Sequence, residues 1–114
     1  MWLKSENYRE GNGIMPTKIS LIIDNPANPE AFEQAYAKVR QAAEQLPKLQ
    51  RLESAKVWPK EDGTPTPAYR TLDLYFASYE DASAAVTTPA AAALFGGLTG
   101  TQVTFMGLFS DMEE

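Results

Sequence analysis

The elements read along the chain in the order strand, helix, strand, strand, helix, strand, which predicts an α+β domain of the ferredoxin-like βαββαβ type: an antiparallel four-stranded sheet with two helices on one face. Three observations carry this prediction. Apolar side chains alternate with period two in four separated stretches and recur at helical spacing in two others. Pro, Asn and Gly punctuate the boundaries between them. The length of 114 residues corresponds to one domain.

The first strand is read from Lys18 to Asp24, where Ile19, Leu21 and Ile23 alternate with Lys18, Ser20 and Ile22, and Asn25-Pro26 ends it. Asn28-Pro29-Glu30 then has the form of a helix start: a capping side chain, a Pro at the first helical position and an acid near the positive helix end. Phe32, Ala35, Tyr36, Val39, Ala43 and Leu46 follow as one apolar stripe, and the helix is expected to end near Pro47. Leu49 to Trp58 is a weaker strand, and Pro59 to Pro67, with Asp62-Gly63 inside, is a turn-rich connection. The third strand runs from Ala68 to Phe76, with Leu72, Leu74 and Phe76 on one face and Tyr69, Thr71, Asp73 and Tyr75 on the other. Two half-apolar faces place it in the middle of the sheet.

Ser78-Tyr79-Glu80-Asp81 approximates a capping box and opens an Ala-rich helix through Val86. Thr88-Pro89 restarts the pattern, so this helix is expected in two pieces, stopping at Gly96-Gly97. From Thr101 to Asp111 alternation returns, with Val103, Phe105 and Phe109 opposite Thr104, Met106 and Leu108. Apolar side chains on both sides of the first and last strands leave one sheet face needing a cover. A two-fold homodimer, burying sheet on sheet, supplies it.

The composition excludes several function classes. Ten Lys+Arg against fifteen Asp+Glu give a net charge of −5, the wrong sign for wrapping phosphate backbones, so no nucleic-acid partner is expected. There is no Cys and no His, which removes disulfides, thiolate nucleophiles, Ser-His-Asp chemistry and the usual zinc and haem ligands. Asp62, Asp81, Asp111, Glu113 and Glu114 do not have the spacing of a calcium loop. No cofactor and no metal are expected.

Residues 1–14, MWLKSENYREGNGI, mix charges with glycines and lack an apolar stretch long enough for a signal or a membrane span. They are read as a flexible N-terminal extension, with residues 15–114 as the domain. Met15 is one candidate native start; a docked arm held by Trp2 and Tyr8 is the other reading. Neither a membrane partner nor an exported location is expected, and the location is read as cytoplasmic.

The stretch from Lys18 to Leu108 resembles the EthD family, named for ethyl tert-butyl ether degradation, within the dimeric α+β barrel proteins. The residues that carry the resemblance are Asn25 to Phe32, Gln45 to Leu49, Asp73 to Ala85 and Thr87 to Ala93. The resemblance implies a dimeric α+β barrel. Family members often carry a Tyr and a His in the first helix; here the Tyr is Tyr36, and the His position falls on Val39 or Arg40. Neither can do imidazole chemistry, so no residue is assigned a catalytic role.

Tyr36, Trp58, Tyr69 and Asp73, with Tyr75 behind them, are the candidates for lining a pocket. An aromatic-lined cavity would suit a small apolar organic molecule; the same rings also serve as core or interface aromatics. Asp73, on a central strand, is expected either to pair with Arg70, Lys56 or Arg51, or to act as a desolvated base of raised pKa facing Tyr69 and Tyr75. Arg40 is expected to form a surface ion pair with Glu44. Two functions follow: a carrier or accessory protein binding a small apolar compound in catabolism, or a cofactor-free isomerase or monooxygenase acting on a small aromatic substrate.

Overall fold

A computed structural model of the chain describes residues 15–113; the expected arm of residues 1–14 lies outside the described residues. The elements are β1 (Thr17–Ile23), α1 (Pro29–Ala43), β2 (Arg51–Lys56), β3 (Arg70–Phe76), α2 (Tyr79–Ala85), α3 (Pro89–Gly100) and β4 (Phe105–Asp111). They build one antiparallel sheet of order β2-β3-β1-β4. This is the βαββαβ architecture the pattern predicts, with its second helix in two pieces.

The helices start where the sequence predicts. Asn28 accepts from the Ala31 amide at 3.2 Å, Ser78 from Asp81 at 3.1 Å, and Thr88 from Ala91 at 3.3 Å, so each helix has one of its orphan amides satisfied by a side chain. α1 ends at Ala43, with Glu44 as its cap, a few residues before Pro47. α3 runs through Gly96 and Gly97 to Gly100 instead of stopping there.

The reason for that extension is packing. A Cβ built on Gly97 would lie 2.9 Å from Val39 Cγ2, so the missing side chain lets α3 pass close to α1. Val39 is buried and β-branched, with little rotamer freedom to move aside. Gly97→Ala is therefore expected to lose on the order of 1 kcal/mol: overpacking costs roughly 1–3 kcal/mol and the helix-propensity gain offsets about 1. Denaturant midpoints measure this, and a variant as stable as the parent would show that the interface has room.

Between sheet and helices lies the core. Ile19, Leu21 and Ile23 of β1 and Leu72, Leu74 and Phe76 of β3 face Phe32, Tyr36 and Val39 of α1 and Ala91, Leu94 and Leu98 of α3, all buried. β3 pairs with both β1 and β2, as its two-sided pattern implies. The opposite face of the sheet carries Ile22 of β1, Met106 and Leu108 of β4, and Thr71, Asp73 and Tyr75 of β3. Met106 is 58% exposed and Leu108 47%. Ile22 registers with Met106, so the apolar part of this face is contiguous and lies on the β1–β4 half.

Candidate functional site

Two features flank α1. On its β2–β3 side is an ionic and aromatic cluster built around Arg70. The guanidinium donates from Nη2 to Glu33 Oε1 at 2.7 Å and from Nε to Glu33 Oε2 at 3.0 Å, a bidentate pair. Tyr69 donates its hydroxyl to the same Oε2 at 2.8 Å. The Arg70 guanidinium also lies over the Tyr36 ring, 4.6 Å from its centroid. The Tyr36 ring stacks on Phe32 at 5.6 Å, and its hydroxyl shares a 2.7 Å hydrogen bond with Ser54.

This cluster shifts its own ionisations. The hydrogen bond from Arg70 holds the Glu33 carboxyl below its ordinary 4.5, with the Tyr69 hydroxyl adding to the effect against some desolvation. Desolvation first, then the bond to Glu33, raises the Tyr69 phenol above its usual 10.0. Because the folded-state value of Glu33 is depressed, the pair stabilises the fold fully above pH 4.5 and loses that contribution as pH falls through the lower, folded value. Unfolding followed as the pH is lowered through this window is expected to show the loss in the parent and a flatter profile in Glu33→Gln. Parallel profiles would remove the assignment. A cleft of about 430 Å³, lined by Glu33, Tyr36, Arg40 and Arg70 among others, opens beside the cluster. Arg40 and Glu44 pair at 3.8 Å on its surface, as expected.

On the other side of α1 is a larger cavity, about 550 Å³, between the β1–α1 connection and the α3–β4 junction. Phe32, Ala31, Ala35 and Val103 form its apolar part, while Asn25, Asn28 and Gln102 belong to its polar rim. The edge of one ring links the two features: Phe32 packs edge-to-face on Tyr69, with centroids 5.6 Å apart.

The structure divides the predicted site residues. Tyr36 and Tyr69 come together beside α1, yet Tyr36 is only 4% exposed, clamped between Phe32 and Arg70. Tyr69 departs from the face assigned to it, because the regular strand begins at Arg70 and the alternation does not extend back to residue 69. Trp58 lies beyond the end of β2 and is 87% exposed.

Asp73 requires a correction. It sits on the opposite sheet face, in register with Ser20 on one side and Glu53 on the other. The three expected partners are engaged elsewhere: Arg70 with Glu33, Arg51 with Glu53 at 3.4 Å, and Lys56 over the Tyr69 ring. Strand parity explains two of the three, since Arg70 and its cross-strand neighbour Lys56 point to the other face; Arg51 shares the face of Asp73 and is taken by Glu53 and the Tyr75 ring. Nor does Asp73 face Tyr69 as a pocket base. Tyr75 shares its face, where its hydroxyl donates to Glu53 at 2.8 Å and its ring lies 4.0 Å from the Arg51 guanidinium.

Sequence reasoning missed Glu33, Arg70 as its partner, and Gln102. A signal existed for the first: Glu33 follows the buried Phe32 and sits one helical turn before Tyr36, on the flank of the apolar stripe. Gln102 had no such signal.

The chain is 32% identical over 73 residues to the uncharacterized 11.0 kDa protein in the thcB-thcC intergenic region of Rhodococcus erythropolis, a match spanning 63% of this chain and 70% of that protein. The chain belongs to that protein's family. No protein-family model matches it. Among solved structures, it superposes on an ethyl tert-butyl ether degradation (EthD) family protein of Bacillus halodurans with a TM-score of 0.74 at 17% identity, covering 87% of this chain and 100% of that one. A dimeric ferredoxin-like protein of unknown function from Thermobifida fusca gives 0.69 at 11% identity, covering 87% and 92%. SnoaB, a cofactor-independent oxygenase from Streptomyces nogalater, gives 0.63 at 11% identity, covering 87% and 94%. The resemblance to EthD proteins thus holds at the level of the structure, and the ferredoxin-like fold is shared by all three.

Among the described residues, no single helix is long and apolar enough to cross a membrane, and no group of three or more Asp or Glu side chains is placed to hold a metal ion.

Proposed function

We propose that the protein is a cytoplasmic homodimer that binds a small apolar organic molecule, as a carrier or accessory protein in the breakdown of an organic compound. The observation that carries this reading is the cavity of about 550 Å³ with Phe32, Ala31, Ala35 and Val103 on its apolar part, a size and lining suited to such a ligand. The apolar half of the outer sheet face, around Met106 and Leu108, supports the homodimer, and so does the dimeric state of the Thermobifida fusca relative in fold.

A second reading, a cofactor-free isomerase or monooxygenase acting on a small aromatic substrate, draws on Glu33 and Tyr69 beside Phe32 and on the fold shared with SnoaB. Arg70 holds that carboxylate ionised and the phenol is held protonated, which makes neither an effective base near neutral pH. The binding reading is therefore preferred.

Gly100 provides the test. It lines the cavity, and a Cβ built on it meets nothing within 4 Å. Gly100→Phe is expected to fill the space with no loss of thermal stability. Titration with toluene should shift the amide NMR signals of Ala31, Ala35 and Gly100 in the parent, and the Ala31 and Ala35 shifts should vanish in the variant. Equal toluene shifts at Ala31 and Ala35 in both proteins would place binding elsewhere.

A further inference from the structure

We propose that two copies of the chain are joined edge to edge, the free edge of β4 pairing antiparallel with β4 of the second copy about a two-fold at Gly107. The inference rests on the homodimer reading above and names the contact that holds the two copies together.

The two edges of the sheet differ in kind. β2, at one edge, exposes Arg51, Glu53 and Lys56 within six residues, and charges of this kind keep a sheet edge from recruiting another strand. β4, at the other edge, reads FMGLFSD, with no Lys, Arg or Pro and its one acid at the last position. Of the four exposed large apolar side chains among the described residues, β4 carries three: Met106, Leu108 and Phe109.

These three lie on both faces of the strand. Met106 and Leu108 are on the outer face, whereas Phe109 registers with the buried Ile19 and its ring lies 5.7 Å from that of Tyr79 in α2, on the helix side. A cover laid on the outer face reaches the first two and leaves Phe109 at 42% exposure. A strand added at the edge extends both faces at once and so shields all three.

The backbone is aligned for this addition. The Asp24 amide donates to the Thr104 carbonyl at 2.9 Å and the Met112 amide to the Pro16 carbonyl at 2.7 Å, continuing the β1–β4 register at both ends. Bonded pairs alternate along an antiparallel ladder, so the even-numbered residues of β4 bond to β1, while Phe105, Gly107 and Phe109 turn their amides and carbonyls to the free edge. A pairing centred on Gly107 joins these groups to one another: Phe105 to the partner's Phe109, and Gly107 to the partner's Gly107. Met106 then stands opposite the partner's Leu108, so every large apolar side chain of the strand meets another. Centring on Leu108 instead sets Asp111 against Phe105, and centring on Met106 sets Leu108 against Thr104. The same patch thus serves both copies, as a two-fold contact requires.

The test is amide hydrogen exchange of the full chain, read by NMR across a concentration series in which sedimentation gives the dimer fraction. The amides of Phe105, Gly107 and Phe109 are expected to exchange at least about tenfold more slowly in the dimer than in the monomer, while those of Met106 and Leu108, already bonded to β1, are protected in both. Phe109→Lys, on the helix side of the strand, is expected to weaken the dimer at least about tenfold with the far-UV circular dichroism unchanged. A dimer in which the three edge amides exchange as fast as in the monomer overturns the proposal and leaves the homodimer reading intact. Protection of those amides at every concentration, with the chain monomeric, overturns it as well and makes residues 1–14 the occupant of the edge once their deletion abolishes the protection. A chain that is monomeric throughout with unprotected edge amides removes both the proposal and the homodimer.

Discussion

Replacing Glu33 with Ala is expected to lower the unfolding free energy by about 2 kcal/mol, because it leaves a mostly buried guanidinium without its counter-charge. The Arg70 side chain is 16% exposed, and two of its donors, together with the Tyr69 hydroxyl, point at the Glu33 carboxylate. Removing one partner of a fully buried pair costs roughly 3–5 kcal/mol; Glu33 itself is 35% exposed, so solvent reaches the gap and moderates the loss. A domain of this size should show a fall in melting temperature of about 8–16 °C. The reverse truncation, Arg70→Ala, leaves the more exposed carboxylate and should cost less while also freeing the Tyr36 ring. A double-mutant cycle with both changes measures the coupling, and a coupling indistinguishable from zero would mean that the cluster contributes nothing as a pair.

The second large effect is expected at Leu108. In a single chain this side chain is 47% exposed on the outer sheet face, so Leu108→Asp removes only part of a side chain's burial from the fold. In the proposed dimer it would carry a carboxylate into the apolar half of the interface, two residues along the strand from Met106, which registers with Ile22. The expected outcome is a dissociation constant weakened by about 100-fold or more, equivalent to roughly 3 kcal/mol, with the monomer still folded. Sedimentation across a concentration series reads the first quantity and far-UV circular dichroism the second. A variant that stays dimeric at the same concentrations as the parent would move the interface off this face. A parent that is monomeric throughout would remove the dimer.

How much of this was legible beforehand depended on the range of the interaction involved. The strand and helix order, the capping residues Asn28 and Ser78, the break at Thr88-Pro89 and the central position of β3 follow from periodicity and local hydrogen bonding, and the sequence suffices for them. The stop expected at Gly96-Gly97 failed because a glycine's local preference is weaker than the close packing of α3 on α1 at Val39. The second strand is also shorter than expected: Leu49, Gln50 and Val57 to Trp58 fall outside the regular part of β2.

The candidate site was legible only in its parts. Tyr36 and Tyr69 were singled out from residue type alone, and they do converge, but the groups that bind them together come from separate elements: Glu33 of α1, Ser54 of β2 and Arg70 of β3. Asp73 shows the limit most clearly. Its residue type suggested a buried partner, whereas the alternation of the strand turns it away from Arg70, and cross-strand register sets it between Ser20 and Glu53. The sequence by itself determined the fold class, the faces of the strands apart from Tyr69, and the absence of imidazole and thiol chemistry, because each depends on composition or on residues within a few positions of one another. Only the tertiary structure decided which carboxylate pairs with Arg70 and where the large cavity lies, because helix crossing and strand register bring together residues as far apart as Asn28 and Gln102.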